Sequence, residues 1–299
     1  MGTYAVTGAA SGMGQAVVQK LTAEGHRVIG VDIRQADVVA DLSDAAGRAL
    51  AVREVLDLAG GRLDGAVMAA GLGPVPVPER FPTIAAVNYL GVVELLEGWR
   101  EALAAGGGAK VVVFGSNSTT TTPAVPEAPV RALLKKDTAK AVRSLRFLGG
   151  RAAPFVYASS KIAVSRWVRR TAVGPDWAGA GIRMNVIAPG AILTPLLQRQ
   201  LDTPSEAKAI HSFPVPTGGF GKPEHIADWV HMMLSDSAEF LCGSVVVVDG
   251  GSEAYFRPDA WPRTVPLRQM VGYVRRFKGF KPAARVADAP AAAVAPAPQ

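Results

Sequence analysis

Cysteine is almost missing from this 299-residue chain. Cys242 stands alone, so no internal disulfide can form, and a reducing cytoplasm is the expected setting. Apolar Leu241 beside it marks it as buried filler rather than a nucleophile. Histidine is scarce too. His26, His211, His225 and His231 show no metal-ligand spacing with any cysteine or carboxylate set, which argues against a metal site. No apolar run reaches the roughly 18 residues that a membrane span needs. The opening Met1-Gly2-Thr3-Tyr4-Ala5-Val6 has no basic stretch, so no secretory signal is expected.

Apolar residues make up 49% of the sequence, enough to fill one large core. The net charge of +7 is unevenly spread. Residues 119–153 hold seven bases against two acids, residues 257–299 hold eight against two, and the remainder is net acidic. The basic character is therefore local, and nucleic acid is not an expected partner.

Apolar strand-like runs alternate with helical stretches. Strands are expected at 3–7, 27–32, 37–40, 63–69, 109–115, 183–187 and 245–248. Helices are expected from the glycine loop to about Gly25, then over 43–58, 83–104, 155–173 and 223–234. Continuous runs such as Val111-Val112-Val113 indicate strands buried on both faces. The fold class is α/β: a doubly wound Rossmann-type sheet of about seven parallel strands with helices on both faces, as one domain over residues 1–256. Residues 119–153 read as a basic insertion and 257–299 as a basic extension. The Pro/Ala-rich end after Ala283 is compositionally disordered.

Gly8, Gly12 and Gly14 follow the first strand and open the first helix, where a tight turn and bare backbone let a pyrophosphate approach. Asp32 ends the second strand. A carboxylate there can accept hydrogen bonds from ribose hydroxyls and repels a 2′-phosphate, and Ser11 puts no cation in the loop, so NAD is favoured over NADP. Arg34, two residues on, softens that preference. Tyr157 and Lys161 stand four apart on one helix face, and the ammonium is expected to lower the phenol's pKa, making it a general acid or base.

Taken together, Thr7-Gly8-Ala9-Ala10-Ser11-Gly12-Met13-Gly14, Asp41-Leu42, Ala69-Ala70-Gly71, Asn88, Ser116, Tyr157 with Lys161, and Pro189-Gly190-Ala191-Ile192-Leu193-Thr194 resemble the ordered motifs of the short-chain dehydrogenase/reductase family, over residues 3 to 256. Ala70 departs from the pattern, where the family usually has Asn, and loses a structural side chain. Val31-Asp32-Ile33-Arg34, Ala70-Gly71-Leu72-Gly73-Pro74 and the insertion ahead of the Tyr helix are similar to the family's hydroxysteroid dehydrogenases and carbonyl reductases. The resemblance implies roles. Ser116 would hold the substrate oxygen, with Ser118 its rival. Tyr157 would pass the proton. Lys161 would hold the nicotinamide ribose, and Asn88 a water linking Lys161 to solvent. Gly8, Ser11, Gly12, Met13, Gly14, Asp32, Ile33, Asp41, Leu42, Ala70, Gly71, Pro189, Gly190, Ile192 and Thr194 would line the cofactor.

The Pro-rich apolar segment from Leu193 to Phe220 reads as a lid over an apolar substrate. The insertion, with Val130, Leu133, Leu134, Val142, Leu145 and Leu148, is expected to form a basic amphipathic helix beside the site mouth. The extension repeats that theme around Leu267, Met270, Val271, Val274 and Phe277. Both are expected to pack on their own domain or on a second subunit of a dimer or tetramer; the alternative is that they draw in acidic substrates or rest on an anionic membrane surface. Trp177 and Trp229 are expected in the core. The resulting expectation is an NAD-dependent alcohol dehydrogenase/carbonyl reductase acting on a hydroxysteroid or similar apolar alicyclic alcohol or ketone. A non-steroid xenobiotic or secondary-metabolite carbonyl is the competing substrate. A non-catalytic nicotinamide-binding sensor would have no need of Tyr157, Lys161 and Ser116. A sugar-nucleotide epimerase or dehydratase would normally need a larger C-terminal substrate domain.

Overall fold

Alternating Val-rich runs bury both their faces only in a sheet with helices above and below it. A computed structural model describes residues 1–261 and 264–280 and has that sheet. Its strands are β1 (Thr3–Thr7), β2 (Arg27–Asp32), β3 (Val38–Val39), β4 (Gly65–Met68), β5 (Lys110–Phe114), β6 (Arg183–Pro189) and β7 (Val245–Val248). They lie in the order β3-β2-β1-β4-β5-β6-β7, all parallel. The chain runs outward from β1 on one side and from β4 on the other. A crevice therefore opens at the carboxyl ends of β1 and β4, where ligands bind in such sheets.

The helices are α1 (Gly12–Ala23), α2 (Ala45–Ala59), α3 (Phe81–Ala85), α4 (Gly91–Ala105), α5 (Ser118–Thr121), α6 (Glu127–Leu133), α7 (Thr138–Arg143), α8 (Ala153–Thr171), α9 (Pro195–Leu201), α10 (Pro204–His211), α11 (Pro223–Leu234), α12 (Ser252–Phe256) and α13 (Met270–Gly279). The two-residue period of β5 splits the core. Val111 and Val113 face a cluster built from α2, α4 and α8, including Val55, Trp99 and Val164. Val112 and Phe114 face the other, with Val17 and Leu21 of α1 and Ile226 and Val230 of α11.

Several expectations need correction. The helix expected over 83–104 starts at Phe81 and is interrupted by a π turn over Ala86–Leu90, which holds Asn88. The insertion is not one helix. Lys136 adopts the left-handed φ of 61°, Asp137 then caps α7 by accepting from the Lys140 N–H at 2.8 Å, and Gly149 (φ 52°) makes a second break. Its apolar residues still reach the interior: Val130 and Leu133 join the α4/α8 side, and Leu145 packs with Phe81, Ile84 and Val156. Trp177 is buried edge-on to Trp167, but Trp229 is 41% exposed on the outer face of α11. Cys242 is half-buried, its thiol 3.4 Å from the Ala172 carbonyl. The Pro/Ala-rich end lies outside the described residues.

Candidate active site

β1 delivers the chain to Gly8, whose φ of 69° suits glycine; a Cβ there would stand 2.8 Å from the Ala70 nitrogen. A Cβ on Gly14 would overlap the Gly8 carbonyl. Gly12 (φ 56°) faces the Thr194 methyl, so the loop after β6 closes against the glycine loop. Ser11 stands exposed at the start of α1, and Met13 is half-buried against the α1/α11 cluster. The Asp32 carboxylate accepts from the Ala10 N–H at 3.0 Å and the Ile33 N–H at 2.7 Å, joining the glycine loop to the end of β2. Ile33 itself is exposed. Asp41 accepts from the Ser43 N–H, while Leu42 is buried under Gly91. Arg48, which sequence reasoning missed, grips that corner: it donates to the Leu42 carbonyl at 3.1 Å and pairs with Glu94 at 2.6 Å.

Ser116 follows β5, and Tyr157 and Lys161 lie one turn apart on α8. Ser116 lies beside the Tyr157 phenol. Its Oγ accepts from the Ser118 N–H at 3.1 Å, whereas the Ser118 hydroxyl is buried without a partner among the described residues. Burial pushes the Tyr157 pKa up, and the neighbouring Ser116 partly offsets this. The spacing predicted a lowered phenol pKa; burial raises it instead. The Lys161 ammonium donates to the Phe114 carbonyl at 2.8 Å, and burial pushes its own pKa down to about 8.

Asn88 is fully buried. Its Oδ1 accepts from the Leu72 N–H at 2.8 Å, and its Nδ2 donates to the Leu72 carbonyl at 3.0 Å and to Ser160 Oγ at 3.1 Å. Both amide hydrogens are committed to protein partners. A Cβ on Gly71 would sit 3.3 Å from Asn88 Oδ1 and 3.4 Å from Lys161 Nζ, so this glycine keeps the approach to the lysine open. Ala70 donates its N–H to Thr7 Oγ1 at 3.1 Å, a bond between β1 and β4 that no side chain at position 70 is needed to make.

Behind Ser116, Asn117 donates to Asp249 at 3.2 Å, and its N–H to the Pro189 carbonyl at 2.9 Å. Asp249 also accepts from the Gly251 and Glu253 N–H groups. Gly190 is where the chain leaving β6 passes Asp249; a Cβ there would stand 2.6 Å from the Asp249 Cβ, too close to fit. The ends of β5, β6 and β7 are thereby fastened together. Asn117 went unremarked in the sequence, although the Asp-Gly-Gly after β7 was a visible signal.

From Gly190 the chain leaves the sheet and returns at Gly221, where Ile192 and Gly221 pair as a short bridge. Ile192 is buried, and Thr194 caps α9 by accepting from the Leu197 N–H at 3.3 Å. Leu193 and Leu196 are exposed, and Leu196 lies against Gly73. The excursion therefore spans from the glycine loop to the loop after β4, arching over the crevice. A side-chain-free glycine cradle, a carboxylate at the end of β2 and a buried lysine reached past Gly71 fit a nicotinamide dinucleotide laid across the sheet's edge.

A family model described as enoyl-(acyl carrier protein) reductase matches residues 142–253. The 3-alpha-hydroxysteroid dehydrogenase/carbonyl reductase of Comamonas testosteroni is 36% identical over 258 residues, covering 86% of this chain and 99% of that protein. The chain belongs to the short-chain dehydrogenase/reductase family. Among solved members, the 3-alpha-hydroxysteroid dehydrogenase from Pseudomonas sp. B-0831 complexed with NADH is 42% identical, with a TM-score of 0.79 and coverage of 86% of this chain and 99% of that one. The cis-4-hydroxycyclohexanecarboxylate dehydrogenase of Sinomonas cyclohexanicum is 30% identical over 266 residues, 83% of this chain and 95% of that protein. As a short-chain dehydrogenase/reductase, the chain is an oxidoreductase that binds a nicotinamide dinucleotide and acts on a small molecule. No helix among the described residues is long and apolar enough to cross a membrane.

Proposed function

We propose that the chain interconverts a secondary alcohol and a ketone on an apolar alicyclic substrate, a hydroxysteroid above all, with NAD(H) as cofactor. The observation that carries this reading is the placement of Tyr157 one helical turn from the buried Lys161 ammonium, with Ser116 at the end of β5 beside its phenol. Ser116 holds the substrate oxygen through its hydroxyl. Tyr157 delivers a proton to that oxygen in reduction and removes it in oxidation. Lys161 holds the nicotinamide ribose through its ammonium. When bound, the cofactor supplies or accepts the hydride.

Asp32 accepts hydrogen bonds from the adenosine ribose hydroxyls and sets a negative charge where a 2′-phosphate would lie, which favours NAD. The glycine loop, with Ser11 and Met13, takes the pyrophosphate. Ile33, Asp41, Leu42, Ala70 and Gly71 line the adenosine side, and Pro189, Gly190, Ile192 and Thr194 the nicotinamide side. Exposed Leu193 and Leu196 on the arching segment support an apolar substrate, as does the hydroxysteroid dehydrogenase among the relatives, and the cis-4-hydroxycyclohexanecarboxylate dehydrogenase supports an alicyclic one. The test is a panel of steroid and non-steroid alcohols with NAD and NADP, followed by absorbance. The expected result is fastest NADH formation from the bulky alicyclic alcohols. Rapid turnover of small aliphatic alcohols alone would overturn the substrate reading, and equal use of NADP the cofactor preference.

A further inference from the structure

The C-terminal segment carries an apolar face that the body of the protein leaves uncovered. Along α13, Met270, Tyr273, Val274 and Phe277 fall at i, i+3, i+4 and i+7, which places them on one stripe. Every side chain of α13 is exposed, and Phe277 is 77% so. Leu267 just before the helix, Phe280 just after it, and Trp261 upstream are open to solvent as well. Arg275 and Arg276 occupy the opposite side of the helix, and Lys278 flanks the stripe. From Ala260 to Ala287 the sequence holds seven bases and no acid.

The chemistry of this segment selects its partner. An apolar stripe with aromatic side chains needs a hydrocarbon-like surface. Bases without acids need a dense anionic layer. An anionic bilayer surface offers both at the same depth, since the stripe enters the headgroup and acyl boundary while the arginines and lysines meet the phosphates. Pairing with the same segment of a second copy would set basic residues against basic ones. Nucleic acid would satisfy the charge but leave the stripe in water. We propose that residues 264–280 form an interfacial anchor that docks the enzyme on anionic lipid membranes.

The experiment is co-sedimentation of the full-length protein with vesicles of phosphatidylcholine alone and of phosphatidylcholine mixed with phosphatidylglycerol. The proposal expects sedimentation with the anionic vesicles only, weakened by salt. Arg275→Ala with Arg276→Ala should lower the partition coefficient on the order of thirtyfold. Phe277→Ser should lower it as well, while both variants keep the wild-type circular dichroism spectrum and melting temperature. Absence of binding to the anionic vesicles, or equal binding to neutral ones, overturns the proposal. So does a lipid-free dimer that Phe277→Ser dissolves, which would assign the stripe to a second copy, or an RNA complex that forms where vesicles do not bind.

Discussion

The insertion and the C-terminal extension are written in much the same way, as apolar residues at helical spacing among arginines and lysines, yet they end in opposite states. The insertion is folded onto the body. Leu133 and Leu145 are each only 1% exposed, Lys136 pairs with Glu97 of α4 at 2.6 Å, and Glu127 takes both arms of Arg166 of α8 at 2.7 Å. The extension keeps its apolar stripe in the open and has no acid between Ala260 and Ala287. Periodicity tells which residues share a face, while the charges and hollows of the surrounding surface decide what that face meets. In the insertion, broken helices let the apolar side chains reach two separate clusters, Val130 and Leu133 in one and Leu145 in the other. In the extension a single regular helix keeps its stripe straight, a shape suited to a flat surface.

Truncating a buried residue of the insertion should separate the two regions most widely. Leu133→Ala should cost about 2–5 kcal/mol in a urea titration, because it opens a cavity in the core. A loss below about 1 kcal/mol would mean the insertion is not docked as described.

Buried and exposed bases give the next contrast. Lys161 has a pKa near 8 in the folded protein against 10.5 in an unfolded chain, so between these values the unfolded chain binds the extra proton. Stability of the cofactor-free protein should therefore rise with pH across that window, by roughly 2 kcal/mol between pH 8 and about 9.5. Tyr157, with its raised pKa, works the other way, but only once unfolded phenols begin to ionise above about 10. Lys161→Met should flatten the rise. Arg275→Ala, on the exposed helix, should leave it intact.

A smaller effect is expected at the insertion's surface. Arg166 beside Glu127 holds its carboxyl below the usual carboxylate range. The pair therefore contributes above the unfolded carboxylate pKa, and its contribution fades as pH falls through the lower folded value. Since the glutamate is half exposed, Glu127→Gln should cost only about 0.2–1 kcal/mol at neutral pH. Smallest of all, Phe277→Ser in the extension should shift lipid-free stability by no more than about 0.5 kcal/mol.

Much of the sheet and the glycine loop could be read from the residues, because strand runs and Gly8-x3-Gly12-x-Gly14 carry local, one-dimensional signals. Tyr157, Lys161 and Ser116 likewise come together as their spacing and order implied. What escaped the sequence is relational. The π turn shows only when Asn88 is seen holding both backbone groups of Leu72. Nothing in the Tyr-to-Lys spacing says that the ammonium turns to the Phe114 carbonyl. Asn117 and Arg48 look like ordinary polar residues until their partners Asp249 and Leu42, distant or around a corner, are in place. Trp229 shows the limit of composition: large aromatics favour the core, but its position on α11 faces outward.

The central claim is that one half-buried phenol, beside Ser116, exchanges the proton of the reacting oxygen. Tyr157→Phe removes that hydroxyl and leaves the ring in place. The account predicts a fall in turnover of about 10²- to 10⁴-fold with dinucleotide binding and melting temperature retained. Turnover within a few-fold of wild type in the same folded variant would contradict it.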